Sequence, residues 1–253
     1  VTDYIAGNLR AYAEKDGRGY PDWAVRYVPL VRGLRKRGAR FDRVLEIGAN
    51  ENGLARFADT NVIAVDVNMR SLRAARDTQR VQPVAADMAA LPFRDNTFDI
   101  CVSVDTFEHA NDETRRRALV EMLRVLVLTG VGAVTFPSGD AAARAEERIR
   151  HAYRQYTAAE IRWLEEHLEH GLPEAEEMEQ LARRLAGDAR PIRREKNANV
   201  RAWSWMWRVL MCGWPGRGNA LCQVILRWMT PFLTRAHFGT CYRTIVWLEP
   251  TDE

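Results

Sequence analysis

Two aspartates that each close an apolar run, and a turn of small residues ahead of them, are where residue type and spacing first suggest chemistry in this chain. The turn is Glu46-Ile47-Gly48-Ala49-Asn50-Glu51-Asn52-Gly53, entered from the short apolar stretch Val44 to Ile47. A strand that turns sharply into a helix brings its backbone close to a ligand, so it needs residues with no bulky Cβ or with tolerance of positive φ. Gly48 and Gly53 meet the first condition, Asn50 and Asn52 the second. The helix N-terminus that follows favours electronegative ligand groups. Asp66 ends the next apolar run and Asp87 the one after it. An acid about 20 positions beyond such a turn can accept both hydroxyls of a ribose. A carboxylate one strand further on can accept the exocyclic amine of adenine. Either aspartate alone is explained as a helix N-cap, but both together, in this order behind the turn, point to a nucleoside.

Two other phosphate and nucleotide readings compete at this point. Gly48 and Gly53 have the outer spacing of a phosphate-binding loop, yet Leu54-Ala55 stand where Lys-Ser/Thr is required, which excludes it. Gly48-x-Asn50-x-x-Gly53 is one substitution from the dinucleotide fingerprint, so on this segment alone a nicotinamide dinucleotide stays open.

The elements that must hold these residues alternate along the chain. Residues 1–40 read as helices, broken between Gly17 and Pro21. Strands are expected at Val44–Ile47, Val62–Asp66, Gln82–Ala86, Phe98–Val104 and Gly132–Phe136, with helical stretches at 54–57, 69–77 and 111–126 between them. Strands separated by helices of this length mean βαβ units and a parallel sheet. After Pro137 the pattern turns helical through 140–185, a sixth strand is read at Pro191–Lys196, and residues 200–233 form a Trp-rich helical pair broken at Gly213–Gly216. Cys241–Leu248 reads as the closing strand. The domain reading is therefore an N-terminal helical cap (1–40), a ligand-binding core (41–139), a helical substrate or lid region (140–235) and the last strand of the core (236–253).

Composition bounds the function classes. The chain has 253 residues, 47% hydrophobic and 28% charged, which suits an ordinary globular enzyme. A net charge of +3 does not mark a nucleic-acid binder, and none is expected. The four cysteines (Cys101, Cys212, Cys222, Cys241) show no CxxC pair and read as free thiols of a reducing cytoplasm. No secretory leader pattern is seen, and no apolar run reaches the ~18–20 residues that span a bilayer. The expected location is cytoplasmic, with peripheral contact at the inner membrane surface as the competing reading.

The block Asp87-Met88-Ala89-Ala90-Leu91-Pro92-Phe93, then Phe98-Asp99, Val102-Ser103-Val104-Asp105 and Glu108-His109, resembles the class I S-adenosylmethionine-dependent methyltransferases. The similarity is to the type 11 branch that includes ubiquinone-biosynthesis methyltransferases, and it covers about residues 40–138. It implies an α/β fold: a Rossmann-like, doubly wound, mostly parallel seven-stranded sheet with its final strand antiparallel, carrying a helical insertion or lid. It also implies S-adenosylmethionine as cofactor. By position, Glu46 and Gly48, with Ala49 and Asn50 in the same turn, would flank the methionine moiety. Asp66 would hold the ribose hydroxyls and Val67 pack on adenine, Asp87 and Met88 read the adenine edge, and Ser103 and Asp105 face the sulfonium and amino group. Asn50 and Asn52 stand where the family usually has Gly, a departure that bears on affinity.

Methyl transfer from a sulfonium needs in-line positioning and removal of the acceptor's proton. His109 is the candidate base because its ordinary pKa lies near neutrality; the competing role for Glu108-His109 is to cap and orient the next helix. Asp105-x-x-Glu108-His109 resembles the Glu-x-x-Glu-His divalent-metal site of ubiquinone O-methyltransferases, three donors within five residues that could hold one cation, but the strand-end aspartate has the cofactor as a competing role and no metal is expected. His151, Tyr153 and Tyr156, in a His-x-x-x-Tyr-Thr-like stretch similar to the start of the family's lid helix, are substrate candidates. The run from Trp163 to Pro173 is similar to an insertion of subgroups acting on cell-surface glycan and lipid-linked products.

Glu160–Glu179 carries eight acids against Arg162, while residues 193–243 hold nine Lys/Arg and only Glu195, interleaved with Trp203, Trp205, Trp207, Trp214 and Trp228. The favoured reading is a helical cap whose indoles form a core and whose arginines pair with the acidic stretch. The alternative is peripheral membrane contact through 200–235. The expected activity is methyl transfer to a small-molecule or lipid-linked glycan acceptor at oxygen. A degenerate cofactor-binding scaffold and an NAD-dependent oxidoreductase are the alternatives.

Overall fold

The computed structural model describes residues 21–49, 53–68, 80–157, 160–211 and 217–251. Seven strands form one sheet: β1 (Val44–Ile47), β2 (Val62–Asp66), β3 (Val81–Ala85), β4 (Phe98–Val104), β5 (Leu126–Pro137), β6 (Ile192–Asn199) and β7 (Cys241–Leu248), in the order β3-β2-β1-β4-β5-β7-β6. The pairs β1–β2, β2–β3, β1–β4 and β4–β5 are parallel, whereas β7 runs antiparallel to both β5 and β6. The expected mostly parallel seven-stranded sheet with an antiparallel last strand is what forms.

Burial explains the sequence pattern strand by strand. β1 and β4 are buried along their whole length, so both are predominantly apolar, with Glu46, Asp99 and Ser103 as the buried polar exceptions. β3 is an edge strand, where Pro83 removes no needed ladder bond. β6 is the other edge, and its exposed Arg193, Arg194, Glu195 and Lys196 discourage edge-to-edge pairing.

Helix α1 (Pro21–Lys36) has Pro at its first position, Asp22 in its first turn and Arg35 and Lys36 in its last, all favourable to the helix dipole. Its buried stripe Tyr27, Leu30 and Leu34 packs with α2 (Leu54–Ala58) on one sheet face. The other face is covered by α3 (Asp112–Val125), with Leu119, Met122 and Val125, and by α6 (Ala175–Ala186), with Met178 and Ala182. Asn111 caps α3, its side chain accepting the Thr114 N–H. The chain passes from α3 directly into β5, which starts at Leu126 rather than at Gly132 because Leu126 already pairs with Phe98 before a register shift.

Between β5 and β6 lie α4 (Gly139–Thr157), α5 (Arg162–His170) and α6; between β6 and β7 lie α7 (Val200–Met211) and α8 (Arg217–Leu233). A third apolar cluster joins α4, α5, α7, α8 and β7 through Ala142, Ile149, Leu164, Trp203, Trp207, Leu226 and Tyr242. Trp203 and Trp207 thus form a cap core, as expected. The acids of 160–179 find other partners than expected: Arg150 and Arg154 of α4, Arg162, Arg183, and Arg194 of β6. No described arginine of 200–235 pairs with them, because the packed indoles of α7 leave Arg201 and Arg208 on the outer surface. The helix expected at 69–77 and the break at 213–216 lie outside the described residues.

Candidate active site

The strand order reverses direction between β1 and β4, and a crevice opens at the carboxyl ends of the strands on either side of such a point. Here it is a cleft of about 780 Å³, within the range of small-molecule sites. One end is walled by Gly48, Asp66, Val67, Asn68, Ala86, Asp87 and Met88. The other is walled by Asp105, Thr106, His109, Asn111, Arg162, Trp163, Glu166 and His170.

The nucleoside-like end has the right chemistry for a ribose and an apolar ring. Asp66 Oδ1 accepts the Asn68 N–H at 2.6 Å, and partial burial raises its pKa against those backbone donors. A carboxylate has about four acceptor sites, so capacity for a diol remains. Asp87 is exposed and accepts the Ala89 N–H at 2.8 Å. Val67 is 73% exposed, an apolar side chain on the cleft wall that a planar ring would cover. This end therefore fits the adenosine half of S-adenosylmethionine.

The turn itself is built on close approach. Gly48 has φ +72°, and a Cβ there would lie 1.9 Å from Thr106 Oγ1; only glycine suits both conditions. Gly48 and Ala49 both donate to the Val65 carbonyl, and Ala49 is buried. Glu46 is turned inward: Oε1 accepts the Tyr27 hydroxyl at 2.7 Å and Oε2 the Leu54 N–H at 2.7 Å. It does not line the cleft. Burial pushes its pKa up to about 7, against the two hydrogen bonds. Gly53 makes room for it, since a Cβ at 53 would sit 2.4 Å from Glu46 Oε2. Asn50 and Asn52 lie outside the described residues.

Ser103 is fully buried in β4 and donates to the Ile47 carbonyl at 3.2 Å, holding β4 to β1 rather than facing the cleft. Asp105 does reach the cleft, with φ +48°, but its carboxylate is engaged by Arg243 Nε at 2.6 Å, Thr135 Oγ1 at 3.1 Å and Arg26 at 3.4 Å. Against strong desolvation, the two guanidinium groups hold its pKa below the usual range. Arg26 also pairs with Asp22 at 2.7 Å. Arg26 and Arg243 carry no local signal in the sequence: one comes from α1 and the other from β7, and only the sheet brings them together.

His109 lines the far end of the cleft in the short helical turn Phe107–His109. Its ring lies 4.8 Å from that of His167 on α5, and its Nδ1 is 3.0 Å from Glu166 Oε2 without hydrogen-bond geometry. Burial, then the neighbouring His167, lowers its pKa to about 4, so the ring is neutral at neutral pH. His167 Nδ1 faces Glu146 Oε1 at 3.0 Å, and that oxygen accepts the Tyr242 hydroxyl. Glu108 Oε2, His109 Nδ1 and His167 Nε2 are all buried without hydrogen-bond partners. Among the described residues, Glu108, His109 and His167 form the group whose donor atoms lie close enough, within 4.8 Å, to share one water or cation. Asp105 is not part of it, because the arginines occupy it. Sequence spacing missed His167, which lies 58 positions from His109 on a different element.

The substrate candidates sit elsewhere. His151 is exposed on α4 and faces Gln155 at 3.0 Å, and Tyr153 packs against the cap core. Neither lines the cleft. The Tyr156 side chain lies outside the described residues.

With this geometry in place, the chain can be set against known proteins. Residues 45–134 match the family model described as a methyltransferase domain. That stretch is a methyltransferase domain of the class I S-adenosylmethionine-dependent kind. The malonyl-[acyl-carrier protein] O-methyltransferase of Geobacter sulfurreducens is 35% identical over 109 residues, 40% of this chain and 40% of that protein. The match thus spans about two fifths of that curated relative. In fold, the domain and its insertion resemble the plantazolicin methyltransferase BpumL crystallised with S-adenosylhomocysteine (TM-score 0.58, 10% identity, covering 97% of this chain and 91% of that one). They also resemble the [4+2]-cyclase SpnF (TM-score 0.54, 17% identity, 88% and 80%). A cyclase among the neighbours shows that the fold by itself does not fix the reaction.

Proposed function

We propose that this chain transfers the methyl group of S-adenosylmethionine to an oxygen of a small-molecule or lipid-linked acceptor held at the His109 end of the cleft. The observation that supports this most is the division of one cleft into two chemically distinct ends inside a methyltransferase domain. S-adenosylmethionine supplies an activated methyl group when bound; the protein's work is to bind, orient and exclude water. In this reading Asp66 takes the ribose hydroxyls, Val67 covers the adenine, and Asp87 and Met88 meet its edge. Gly48 and Ala49 let the backbone approach the methionine moiety.

Glu46, Ser103 and Asp105 act indirectly in this reading, shaping the turn, the β1–β4 junction and the cleft floor through the internal bonds described above. His109 faces the incoming oxygen, as the base for an acceptor that carries a proton or as a neutral N–H donor that orients one already ionised. A neutral imidazole with a pKa near 4 is poorly matched to an alcohol and well matched to an oxygen that ionises on its own. This favours a carboxylate acceptor, as in the reaction named for the Geobacter relative. His151, Tyr153 and Tyr156 would contact an acceptor only where it extends along α4.

The test is transfer of labelled methyl from S-adenosylmethionine to a panel of carboxylic acids, acyl-carrier thioesters, alcohols and lipid-linked sugars. Label in a base-labile ester supports the reading. Label confined to nitrogen or carbon, or none in any acceptor, contradicts it.

A further inference from the structure

Away from the cleft, α8 presents an outer face that no described residue covers. Val224, Ile225, Trp228, Met229 and Phe232 are 50%, 40%, 76%, 38% and 69% exposed. Their spacing puts them on one side of the helix, opposite the buried Leu226 and Leu233. An exposed apolar stripe of this size on one helix is a binding surface rather than scattered exposure. Phe238, 70% exposed, extends it just past the helix end.

Where the stripe ends, a basic hollow of about 310 Å³ begins. It is lined by Arg32, Lys36, Arg37, Lys196, Arg235 and His237, with Glu195 as its one carboxylate. Glu195 is paired with Arg37 at 2.9 Å, and Arg37 also meets Glu249. Among the described residues no acid forms a salt bridge with the other four cations, although Lys36 lies near enough to Glu195 to help lower its pKa. Arg32 and Arg235 donate only to backbone carbonyls, those of Thr234 and Pro231. Desolvation, then the charge of Arg235, lowers the Arg32 pKa. Arg235 stands in the turn just past α8, its N–H donating to the Phe232 carbonyl at 2.9 Å, so the stripe runs on into the hollow. Apolar side chains flanked by unpaired cations, with no acid between Lys196 and Arg243, match the surface of an anionic bilayer: acyl chains take the aromatics and phosphates take the cations.

We infer that this face docks the protein on an anionic phospholipid membrane, with Trp228, Phe232 and Phe238 entering the interface and Arg32, Lys36, Lys196 and Arg235 holding headgroup phosphate. The inference stands apart from the methyl-transfer reading. It also divides the Trp-rich region, with Trp203 and Trp207 serving the core and Trp228 the membrane.

The test is co-sedimentation of the full chain with vesicles of phosphatidylcholine, with and without about one third phosphatidylglycerol. Binding is expected only to the anionic vesicles, weakening as salt rises. The double variant W228S/F232S should lose at least tenfold in binding, and R32Q/R235Q about fivefold for each cation removed. Both variants should bind S-adenosylhomocysteine as the unaltered protein does, which shows that they fold and keeps this test independent of the cofactor site. Equal binding to neutral vesicles, or anionic binding untouched in both variants, overturns the inference. So does retention of inorganic phosphate without vesicle binding, which would make the hollow a soluble-anion site. Concentration-dependent self-association abolished by W228S/F232S would overturn it too, by making the face a contact between copies of this chain.

Discussion

Replacing Glu46 by Gln should change not only the stability of the protein but its dependence on pH. Glu46 is 2% exposed, and its folded pKa is raised from 4.5 to about 7 by desolvation that outweighs the Tyr27 and Leu54 hydrogen bonds. A raised acid pKa means that the folded state binds the proton more tightly than the unfolded chain does. The stabilisation from this group is therefore fully present below pH 4.5, is lost as pH rises towards 7, and is flat above about 8. At ~1.4 kcal/mol for each pH unit, the loss is about 3 kcal/mol as an upper figure. Gln cannot titrate, and its amide turns a donor towards either the Tyr27 hydroxyl or the Leu54 N–H, at a cost of about 1–3 kcal/mol. Guanidinium unfolding of both proteins at a series of pH values gives the difference directly, with all other titrating groups cancelling to first order. The wild-type advantage should be largest near pH 4.5 and shrink by about 3 kcal/mol by pH 8. Parallel stability curves over that range would refute the placement of a raised-pKa carboxyl behind the turn.

Other perturbations follow from the same geometry. Gly48→Ala should destabilise by more than ~1 kcal/mol, combining positive φ with the Thr106 clash, and Thr106→Ala, which removes the clashing hydroxyl and methyl, should recover part of it; denaturation of the single and double variants checks the coupling. Arg243→Met leaves Asp105 with Arg26 as its one cation, beside the Thr135 hydroxyl, in a buried site, and should cost roughly 3 kcal/mol by denaturant midpoint, towards the lower end for a broken buried pair. Asp66→Ala removes the diol acceptor and should weaken S-adenosylhomocysteine by roughly ten- to a hundredfold in calorimetry, the worth of a charged hydrogen bond. His151→Ala should leave that affinity unchanged, because His151 is remote from the cleft.

The sheet was legible because its chemistry is local. β1, β2 and β4 are apolar runs ended by Gly48, Asp66 and Asp105, and burial on both faces requires that composition. The strand-end acids could be read for the same reason: order along the chain maps onto position along the crevice. What could not be read was pairing across elements. Nothing near Asp105 announces Arg26 or Arg243, and nothing near His109 announces His167, since those meetings depend on how α1, α5 and β7 pack. Glu46 shows the limit differently, because a motif position identifies the turn but not which way the carboxylate points once Tyr27 is within reach. The Trp-rich helices divided for the same reason: periodicity finds an amphipathic face, and only packing shows which of two faces is left to the outside.

The methyl-transfer proposal rests on S-adenosylmethionine occupying the cleft between Gly48 and His109. Isothermal titration of the purified chain with S-adenosylhomocysteine and, separately, with NAD tests it most directly. One S-adenosylhomocysteine should bind per chain, weakened by Asp66→Ala, and NAD should give no heat. Saturable NAD binding, or no S-adenosylhomocysteine binding at millimolar concentration by a folded protein, would contradict it.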